Sequence, residues 1–168
     1  MAAMLKKEIK SIIERSMPSG WVLEPDAKRI LNLSGIKVPR FQVAQTGEEA
    51  IAAARSIGYP VVVKLVSPAV VHKSDVNGVV VGVRSDKEIQ SIFNRFAAHK
   101  GFAGMLVEEM AAGLELIVGG IIDAQFGPVV MLGMGGTGVE IYKDTALRMA
   151  PIKPEEVACM VNRLSARE

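Results

Sequence analysis

A short apolar run with one charged residue sets a strong condition on the fold of this chain. Residues 59–66 read Tyr-Pro-Val-Val-Val-Lys-Leu-Val, and their β-branched, apolar character predicts a buried strand. Lys64 lies inside that strand, where an ammonium group without a partner is costly to bury. Two partners remain open: a carboxylate of the core, or a phosphate group, which lysine binds as a compact cation. The sequence therefore predicts an anion beside Lys64.

The elements around this run predict an α+β domain with mainly antiparallel sheets. Thr46 to Glu49 and Ser85 to Glu88 have the spacing of capping boxes that open helices, which end at Gly58 and near His99. Strands dominate the second half of the chain, which argues against a purely alternating parallel architecture. The further helices are predicted at 3–16, about 25–34 and from Pro154 to the chain end; the strands are predicted at 38–44, 79–84, 105–110, 115–123, 128–132 and 139–151.

Composition and charge exclude several classes of protein. Hydrophobic residues make up 49% of the 168 residues and charged residues 23%, as in folded globular proteins. The net charge is +2, with both signs interspersed, so a nucleic-acid-binding surface is not indicated. The longest apolar stretches are shorter than the roughly 20 residues that cross a bilayer, and no signal peptide is recognisable. The single cysteine, Cys159, is expected on a helix, next to the hydrophobic core. Because one cysteine cannot form an internal disulfide, we expect a cytoplasmic protein.

The segment after the apolar strand carries several groups that suit an anion. His72, Lys73 and Ser74 precede Asn77 and Gly78, two residues that tolerate left-handed backbone angles. Such a segment bends around a phosphate or forms an ordinary hairpin turn, and the pattern alone leaves both open. An imidazole at this position suits a nucleophile that carries a group between two half-reactions. His99, near a helix end, is expected to be structural.

Two later segments are also candidates for ligand binding. Glu108 and Glu109 end one predicted strand and Glu115 begins the next, so their carboxylates either accept hydrogen bonds from a nucleoside or are solvated loop ends. Residues 133–138 hold four glycines between two strands, which permits close approach of a ligand to the backbone. This segment is neither a dinucleotide fingerprint nor a Walker loop, because the required helix and Gly-Lys-Ser/Thr are lacking.

The ordered conjunction of these segments resembles the ATP-grasp domain of ADP-forming acyl-CoA synthetases, relatives of succinyl-CoA synthetase. The resemblance covers most of the chain, from about Leu23 to Pro151. The segments that carry it are 58–68, 72–75 with Gly78, 107–110, 115–119, 123–130, 133–136, 139–140, 143–144 and 148–151.

This resemblance implies a fold and a nucleotide site. The chain 1–168 is expected to be one ATP-grasp domain, C-terminally incomplete, with ATP or ADP between two α+β lobes. Residues 59–104 would form the smaller lobe that covers the nucleotide, and 18–58 with 105–168 the larger lobe. The implied nucleotide-binding residues are Lys64, Lys73, Ser74 and Gly78 on the phosphates, Glu108, Glu109 and Met110 along the adenine, and Glu115 on the ribose. The implied phosphate and metal side is Gly135, Gly136, Glu140, Asp144 and Arg148.

The resemblance also implies a reaction and a partner. His72 would accept a phosphoryl group and pass it to ADP, so that acyl-CoA, ADP and phosphate give the acid, CoA and ATP reversibly. The main Mg²⁺ ligands of the family are expected after residue 168. A CoA-binding alpha subunit or domain would supply the first phospho-acceptor histidine in a hetero-oligomer, and the isolated chain is expected to be inactive. Asn77 stands where the family usually has a glycine, a mild change for a left-handed position.

A second interpretation belongs to another class of protein. The chain could be a non-catalytic nucleotide-binding or regulatory module, like the synthetase-like part of a protein acetyltransferase. His72 favours the enzyme, because a sensor needs no phosphoryl carrier, whereas the family's metal segment, expected after residue 168, is the part that the enzyme interpretation lacks. An α+β domain without any nucleotide would require every motif match to be accidental.

Overall fold

The structure of this chain, a computed structural model, describes residues 7–136 and 144–165. The chain forms two compact units, Met1–Ala111 and Ala112–Glu168. Both contain an antiparallel sheet together with helices, so the predicted α+β class with mainly antiparallel sheets is confirmed. Among the described residues no helix is long and apolar enough to span a membrane.

The first unit consists of four helices and a four-stranded sheet. Its helices are α1 (Lys7–Ser16), α2 (Glu24–Leu33), α3 (Gly47–Ile57) and α4 (Asp86–Ala97), with short 3₁₀ turns at Met17–Ser19 and Lys73–Val76. Its strands are β1 (Phe41–Ala44), β2 (Val61–Val66), β3 (Val79–Val83) and β4 (Gly104–Glu109), in the order β1-β4-β2-β3. The predicted buried strand is β2, which pairs antiparallel with β3 and β4 and therefore has a neighbour on each side.

The main core lies between this sheet and the two helices α3 and α4. Alternate residues of β2 point to one face, so Val61, Val63 and Leu65 are fully buried there. Phe96 of α4 is also fully buried in this core. Lys64 therefore points to the opposite face of the sheet, away from the apolar core.

The capping residues predicted for α3 and α4 are confirmed. At α3, Thr46 Oγ1 accepts from the Glu49 amide at 3.1 Å, and the Glu49 carboxylate accepts in return from the Thr46 amide at 3.3 Å. At the start of α4, the Ser85 hydroxyl accepts from the Glu88 amide at 3.4 Å and donates to the Glu88 carboxylate at 2.9 Å. Gly58 ends α3 with φ of 99°, a conformation that favours glycine.

The second unit consists of a three-stranded sheet and one described helix. The strands β5 (Leu116–Asp123), β6 (Gly127–Met134) and β7 (Thr145–Met149) pair antiparallel in that order, and α5 (Pro154–Val161) follows. A small core joins the sheet to α5 through Leu132, Ala146, Met160 and Leu164.

Several element boundaries differ from the prediction. The ladder of β1 begins at Phe41 instead of residue 38, and just before it the Arg40 amide donates to the side chain of Glu109 at 3.0 Å. The last helix was expected to run to the chain end, but it ends at Val161, and a tight turn then buries Leu164 in the core. Cys159 is exposed on α5, so its expected place beside the core is wrong. The predicted strand at 139–151 is described at Thr145–Met149, with 139–143 outside the described residues.

The compact units do not coincide with the lobes expected from the resemblance. The sheet of the first unit joins β2 and β3, from the expected smaller lobe, to β1 and to β4, most of which was assigned to the larger lobe. The division between the units lies after Ala111.

Candidate functional site

Five charged side chains converge on the face of the first sheet that is opposite the apolar core. They come from a helix, two strands and the turn after His72, and we call them the charged cluster: Glu24, Lys28, Lys64, Lys73 and Glu108. Glu24 and Lys28 lie four residues apart on α2, so both project from one side of that helix. The cluster holds three ammonium groups and two carboxylates.

Lys64 is paired with two carboxylates at once. Its Nζ donates to Oε1 of Glu24 at 2.7 Å and lies 2.5 Å from Oε1 of Glu108. The strand geometry explains the second contact, because Lys64 is paired with Leu106 in β4 and Glu108 is two residues further on the same face. The predicted anion beside Lys64 is therefore present as two carboxylates, so a carboxylate and not a phosphate is its partner in this structure.

Glu108 is the most deeply buried member of the cluster, with its side chain 6% exposed. Lys28 Nζ lies 2.7 Å from its Oε2 and 6.0 Å from the centroid of the Phe41 ring. The Lys28 ammonium is close to Oε2 without the direction of a hydrogen bond, so no aligned donor reaches that oxygen. The sequence left open whether Glu108 is a solvated loop end, and its burial excludes that alternative.

Burial and pairing act in opposite directions on the charges of this cluster. Burial disfavours the ionised carboxylate, but hydrogen bonds from Lys64 and Lys73 outweigh it and hold the pKa of Glu24 below its usual value. Burial also disfavours the ammonium of Lys64, yet its bonds to Glu108 and Glu24 raise the pKa of Lys64 above its usual value. Both shifts favour the ionised forms of Glu24 and Lys64 near neutral pH. With three ammonium groups and two carboxylates, the cluster has a formal excess of one positive charge.

The segment between β2 and β3 brings His72 next to the cluster. His72 precedes the 3₁₀ turn Lys73–Val76 and is exposed to solvent, whereas the Lys73 ammonium points inwards and lies 2.5 Å from Oε2 of Glu24. Asn77 adopts the left-handed conformation with φ of 50°, as the sequence predicted. Gly78 has another reason to be glycine, because a Cβ there would lie 3.1 Å from the Lys73 carbonyl oxygen and 3.2 Å from Leu65.

The neighbouring candidates Glu109 and Met110 lie outside the charged cluster. Glu109 accepts from the Arg40 amide at 3.0 Å and from Arg40 Nε at 2.6 Å. The backbone N–H of Arg40 and then its guanidinium hold the pKa of Glu109 below its usual value. Met110 is partly exposed just after β4, and Ser74 is exposed in the turn after His72.

In the second unit, the structure brings Glu115 together with two of the predicted glycines. The Gly135 amide donates to the Glu115 carbonyl at 2.7 Å, and a Cβ at Gly135 would come within 2.8 Å of the Glu115 backbone. Gly136 has φ of 89°, and a Cβ there would lie 3.6 Å from Glu115 Oε2. Glu115 is exposed and immediately precedes β5. Only glycine fits at residue 135 beside this glutamate.

The other described candidates of this unit, Asp144 and Arg148, form hydrogen bonds with other residues. The Asp144 carboxylate accepts from the Ser165 amide at 2.9 Å, next to the end of α5. Arg148 lies on β7 opposite Val130 and donates to the Leu147 carbonyl at 2.9 Å. Glu140 lies outside the described residues.

Metal ligands are not gathered in the part of the chain that the structure describes. No group of three or more His, Cys, Asp or Glu side chains is arranged there to hold an ion.

Glu24 and Lys28 are members of the cluster that the sequence analysis did not single out. Their i, i+4 spacing is common on exposed helix faces and does not indicate a site by itself. The contacts of Glu24 with Lys64 and Lys73 span 40 and 49 residues of sequence. A signal was nevertheless present, because a lysine in a buried strand requires a nearby carboxylate or ligand.

A family model described as an ATP-grasp domain matches residues 15–168. Two curated relatives illustrate the range of lengths. The chain is 42% identical over 166 residues to the acetate–CoA ligase [ADP-forming] I subunit beta of Pyrococcus furiosus, covering 94% of this chain and 72% of that protein. It is 35% identical over 176 residues to the 4-hydroxybutyrate–CoA ligase [ADP-forming] of Nitrosopumilus maritimus, covering 99% of this chain and 25% of that protein.

Solved structures agree in fold and sequence. The structure of Ca. Korarchaeum cryptofilum ACD1 in complex with coenzyme A matches with a TM-score of 0.86 and 38% identity, over 95% of this chain and 74% of that one. A second structure from this organism, an acetyl-coenzyme A synthetase with coenzyme A and Mg-AMPPCP, matches with a TM-score of 0.78 and 36% identity, over 95% and 72%. Its phosphohistidine segment is described as pointing towards the nucleotide binding site. From its family match and these relatives, the chain belongs to the ATP-grasp domain family, in the form found in β subunits of ADP-forming acetate–CoA ligases.

Proposed function

We propose that this chain is the nucleotide-binding part of an ADP-forming acyl-CoA synthetase. The observation that carries the proposal is the charged cluster. In it Lys64 and Lys73, the two lysines predicted to bind phosphate, both pair with Glu24, and the cluster as a whole has one positive charge in excess. A cluster of this sign attracts an anion, and its partly buried position limits screening by salt. The nucleotide is ATP or ADP, as in the relatives whose names specify ADP formation.

His72 is the proposed phosphoryl carrier. Its exposure leaves the imidazole accessible, and the adjacent Lys73 reaches the charged cluster, so a phosphoryl group on His72 would be one residue from a cation. The phosphohistidine segment described for the Korarchaeum enzyme supports this role by analogy. Transfer to ADP breaks the N–P bond at the imidazole and forms a P–O bond to the terminal phosphate oxygen of ADP, which gives ATP.

The other predicted residues fit supporting roles in nucleotide binding. Ser74 and Gly78 belong to the turn over the phosphates, and Glu108, Glu109 and Met110 to the strand end along the adenine. In the second unit, Glu115 with Gly135 and Gly136 forms a compact group that suits a ribose, a phosphate oxygen or both. Asp144 and Arg148, together with Glu140, remain proposals for the phosphate and metal side. Mg²⁺ would supply charge neutralisation of the phosphates, with its main ligands outside the residues described.

The full reaction requires a second component. The relatives named as β subunits support a separate CoA-binding alpha subunit or domain, which would hold the first phospho-acceptor histidine. The chain spans about a quarter of the longer relatives that it matches, so their complete activity needs more than these residues. We therefore expect the isolated chain to bind nucleotide without converting acyl-CoA.

Calorimetric titration with ADP and ATP, with and without Mg²⁺, tests the proposal. We expect the wild-type chain to bind and Lys64→Ala to lose affinity, because a phosphate oxygen loses its buried cation. Lys10→Ala is the matched control, since Lys10 forms an exposed pair with Glu14 on α1. Circular dichroism of each variant separates lost binding from lost folding. If the folded wild-type chain bound neither nucleotide, or Lys64→Ala bound as tightly as wild type, the proposal would be wrong.

A second measurement follows the phosphoryl group in the chain combined with its CoA-binding partner. After incubation of this complex with labelled phosphate and acetyl-CoA, mass spectrometry should find the label on His72. His72→Asn should remove it and His99→Asn should not, because His99 lies beyond the end of α4. Label retained after His72→Asn would contradict the carrier role.

A further inference from the structure

One carboxylate of the charged cluster bridges the two lysines that are proposed to bind phosphate. Oε1 of Glu24 accepts from Lys64 at 2.7 Å and Oε2 accepts from Lys73 at 2.5 Å. The bridge joins three elements: α2, the central strand β2 and the turn after His72. Two ammonium groups that share one carboxylate repel each other, and the negative charge between them offsets that repulsion.

We propose that Glu24 is an internal counter-anion that competes with the nucleotide phosphates for Lys64 and Lys73 and tethers the His72 segment to α2 until phosphate displaces it. This inference rests on the proposed function, because it assumes that phosphate binds these lysines. It assigns Glu24 a positioning and regulatory role, since the residue acts through the two lysines.

The charges of the cluster support competition. A phosphate group presents oxygens that bridge two ammonium groups in the same way as the carboxylate. A phosphate that takes over the N–H groups now bonded to Glu24 must break those bonds, and the affinity for nucleotide is then reduced by their strength. A protein with a neutral side chain at residue 24 keeps the three lysines and only the Glu108 carboxylate.

The position of Lys73 supports the tether. The segment 67–78 leaves β2 and returns to β3, with internal bonds such as Gly78 N–H to the Lys73 carbonyl at 2.7 Å. Within the part of the chain that the structure describes, the pair of Lys73 with Glu24 is the side-chain ion pair that connects this segment to another element. His72 adjoins Lys73, so the tether also restrains the proposed phosphoryl carrier.

The cluster allows this bridge to be removed without leaving Lys64 unpaired. Glu108 remains 2.5 Å from Lys64, so Glu24→Gln still provides a carboxylate for the buried ammonium. The glutamine also keeps the shape of the side chain and an oxygen that accepts a hydrogen bond. We therefore expect Glu24→Gln to fold, which far-UV circular dichroism and urea unfolding check directly.

The test compares Glu24→Gln with wild type in two measurements. Calorimetric titration should show ADP binding about tenfold tighter in the variant, the scale of one charge-assisted hydrogen bond removed from the competition. Amide hydrogen exchange without nucleotide should be faster in the variant at 70–78 and unchanged in β4 and α3. Glu14→Gln is the matched control, because it removes the same charge from an exposed pair on α1.

The outcomes separate this inference from the proposed function. Equal or weaker ADP binding by a folded Glu24→Gln, when wild type binds, would overturn the competition and leave the proposed function standing. Unchanged exchange at 70–78 would overturn the tether. Failure of both wild type and Glu24→Gln to bind nucleotide would overturn the proposed function and the competition together, and the exchange result would then decide the tether alone.

Discussion

At the scale of single residues, Glu24 links the charge of the cluster to the pH dependence of stability. Although burial opposes its charge, its bonds from Lys64 and Lys73 hold the pKa of Glu24 below its usual value of 4.5. A group whose pKa is lower in the folded than in the unfolded state stabilises the fold above the unfolded pKa. That contribution is lost as the pH falls through the folded pKa, because the unfolded chain then binds more protons.

We predict that the stability difference between wild type and Glu24→Gln depends on pH in this direction. Wild type should have the higher free energy of unfolding at pH 6 to 7, and the difference should shrink on acidification below about pH 4.5. Urea unfolding of both proteins over a series of pH values measures it, with Glu14→Gln as the control for a removed surface charge. A difference that stays constant from pH 7 to pH 3 would contradict the ion-pair bridge.

The residues of the cluster show what the sequence could and could not predict. The need for an anion beside Lys64 followed from one charged residue in a buried strand, and the structure confirms that need. The identity of the anion in this structure did not follow, because Glu24 is 40 residues away in sequence. Lys28 was missed for a similar reason, since its pairing with Glu108 depends on how α2 lies across the sheet.

At the scale of elements, the capping box of α3 is predicted to contribute measurably to stability. Thr46→Ala removes the hydroxyl that accepts from the Glu49 amide, and the cost should be about 1 kcal/mol in the free energy of unfolding. Urea unfolding measures the change. Ser91→Ala, at an exposed position within α4, is the control and should be neutral or slightly stabilising, because alanine favours the helix more than serine does. Equal effects of the two substitutions would contradict the contribution of the cap.

Elements with both a periodic pattern and terminal signals were predicted well. The strand β2 and the helices α3 and α4 have clear apolar patterns, and Thr46, Gly58 and Ser85 mark their ends. The end of α5 was not predicted, because the turn after Val161 depends on burial of Leu164 against Met160. That boundary depends on tertiary packing, and the local sequence has no signal that marks it.

At the scale of the whole molecule, the order of the motifs predicted the family, and the family match and the solved structures confirm it. The expected lobes divide the chain differently from its two compact units. The four-stranded sheet takes β1 and most of β4 from outside the 59–104 segment, because β4 completes the hydrogen bonding of β2 and β1 pairs in turn with β4. Pairing between distant strands is set by the whole sheet, and short motifs do not specify it.

The unequal cores of the two units lead to a prediction about fragments. The core of the first unit includes large, fully buried side chains from α4 and from strands β2 and β4, such as Phe96, Leu65 and Met105. The described core of the second unit is limited to Leu132, Ala146, Met160 and Leu164, with Met134 and Ile152 packed against it. Because buried apolar area is the main favourable contribution to folding, the first unit has much more of it to offset the loss of chain entropy.

We therefore predict that a fragment of residues 1–111 folds by itself and that a fragment of residues 112–168 does not. The first should show a cooperative thermal transition by circular dichroism and dispersed amide resonances by NMR, because a core of this kind supports a two-state domain. The second should lack both, since a small core rarely offsets the entropy of a short chain. Leu65→Ala in the 1–111 fragment is the control. It should lower the free energy of unfolding by about 2–5 kcal/mol, so the thermal transition should move to a much lower temperature or disappear. A cooperative transition in the 112–168 fragment, or none in 1–111, would show that the buried cores do not determine which part of this chain folds independently.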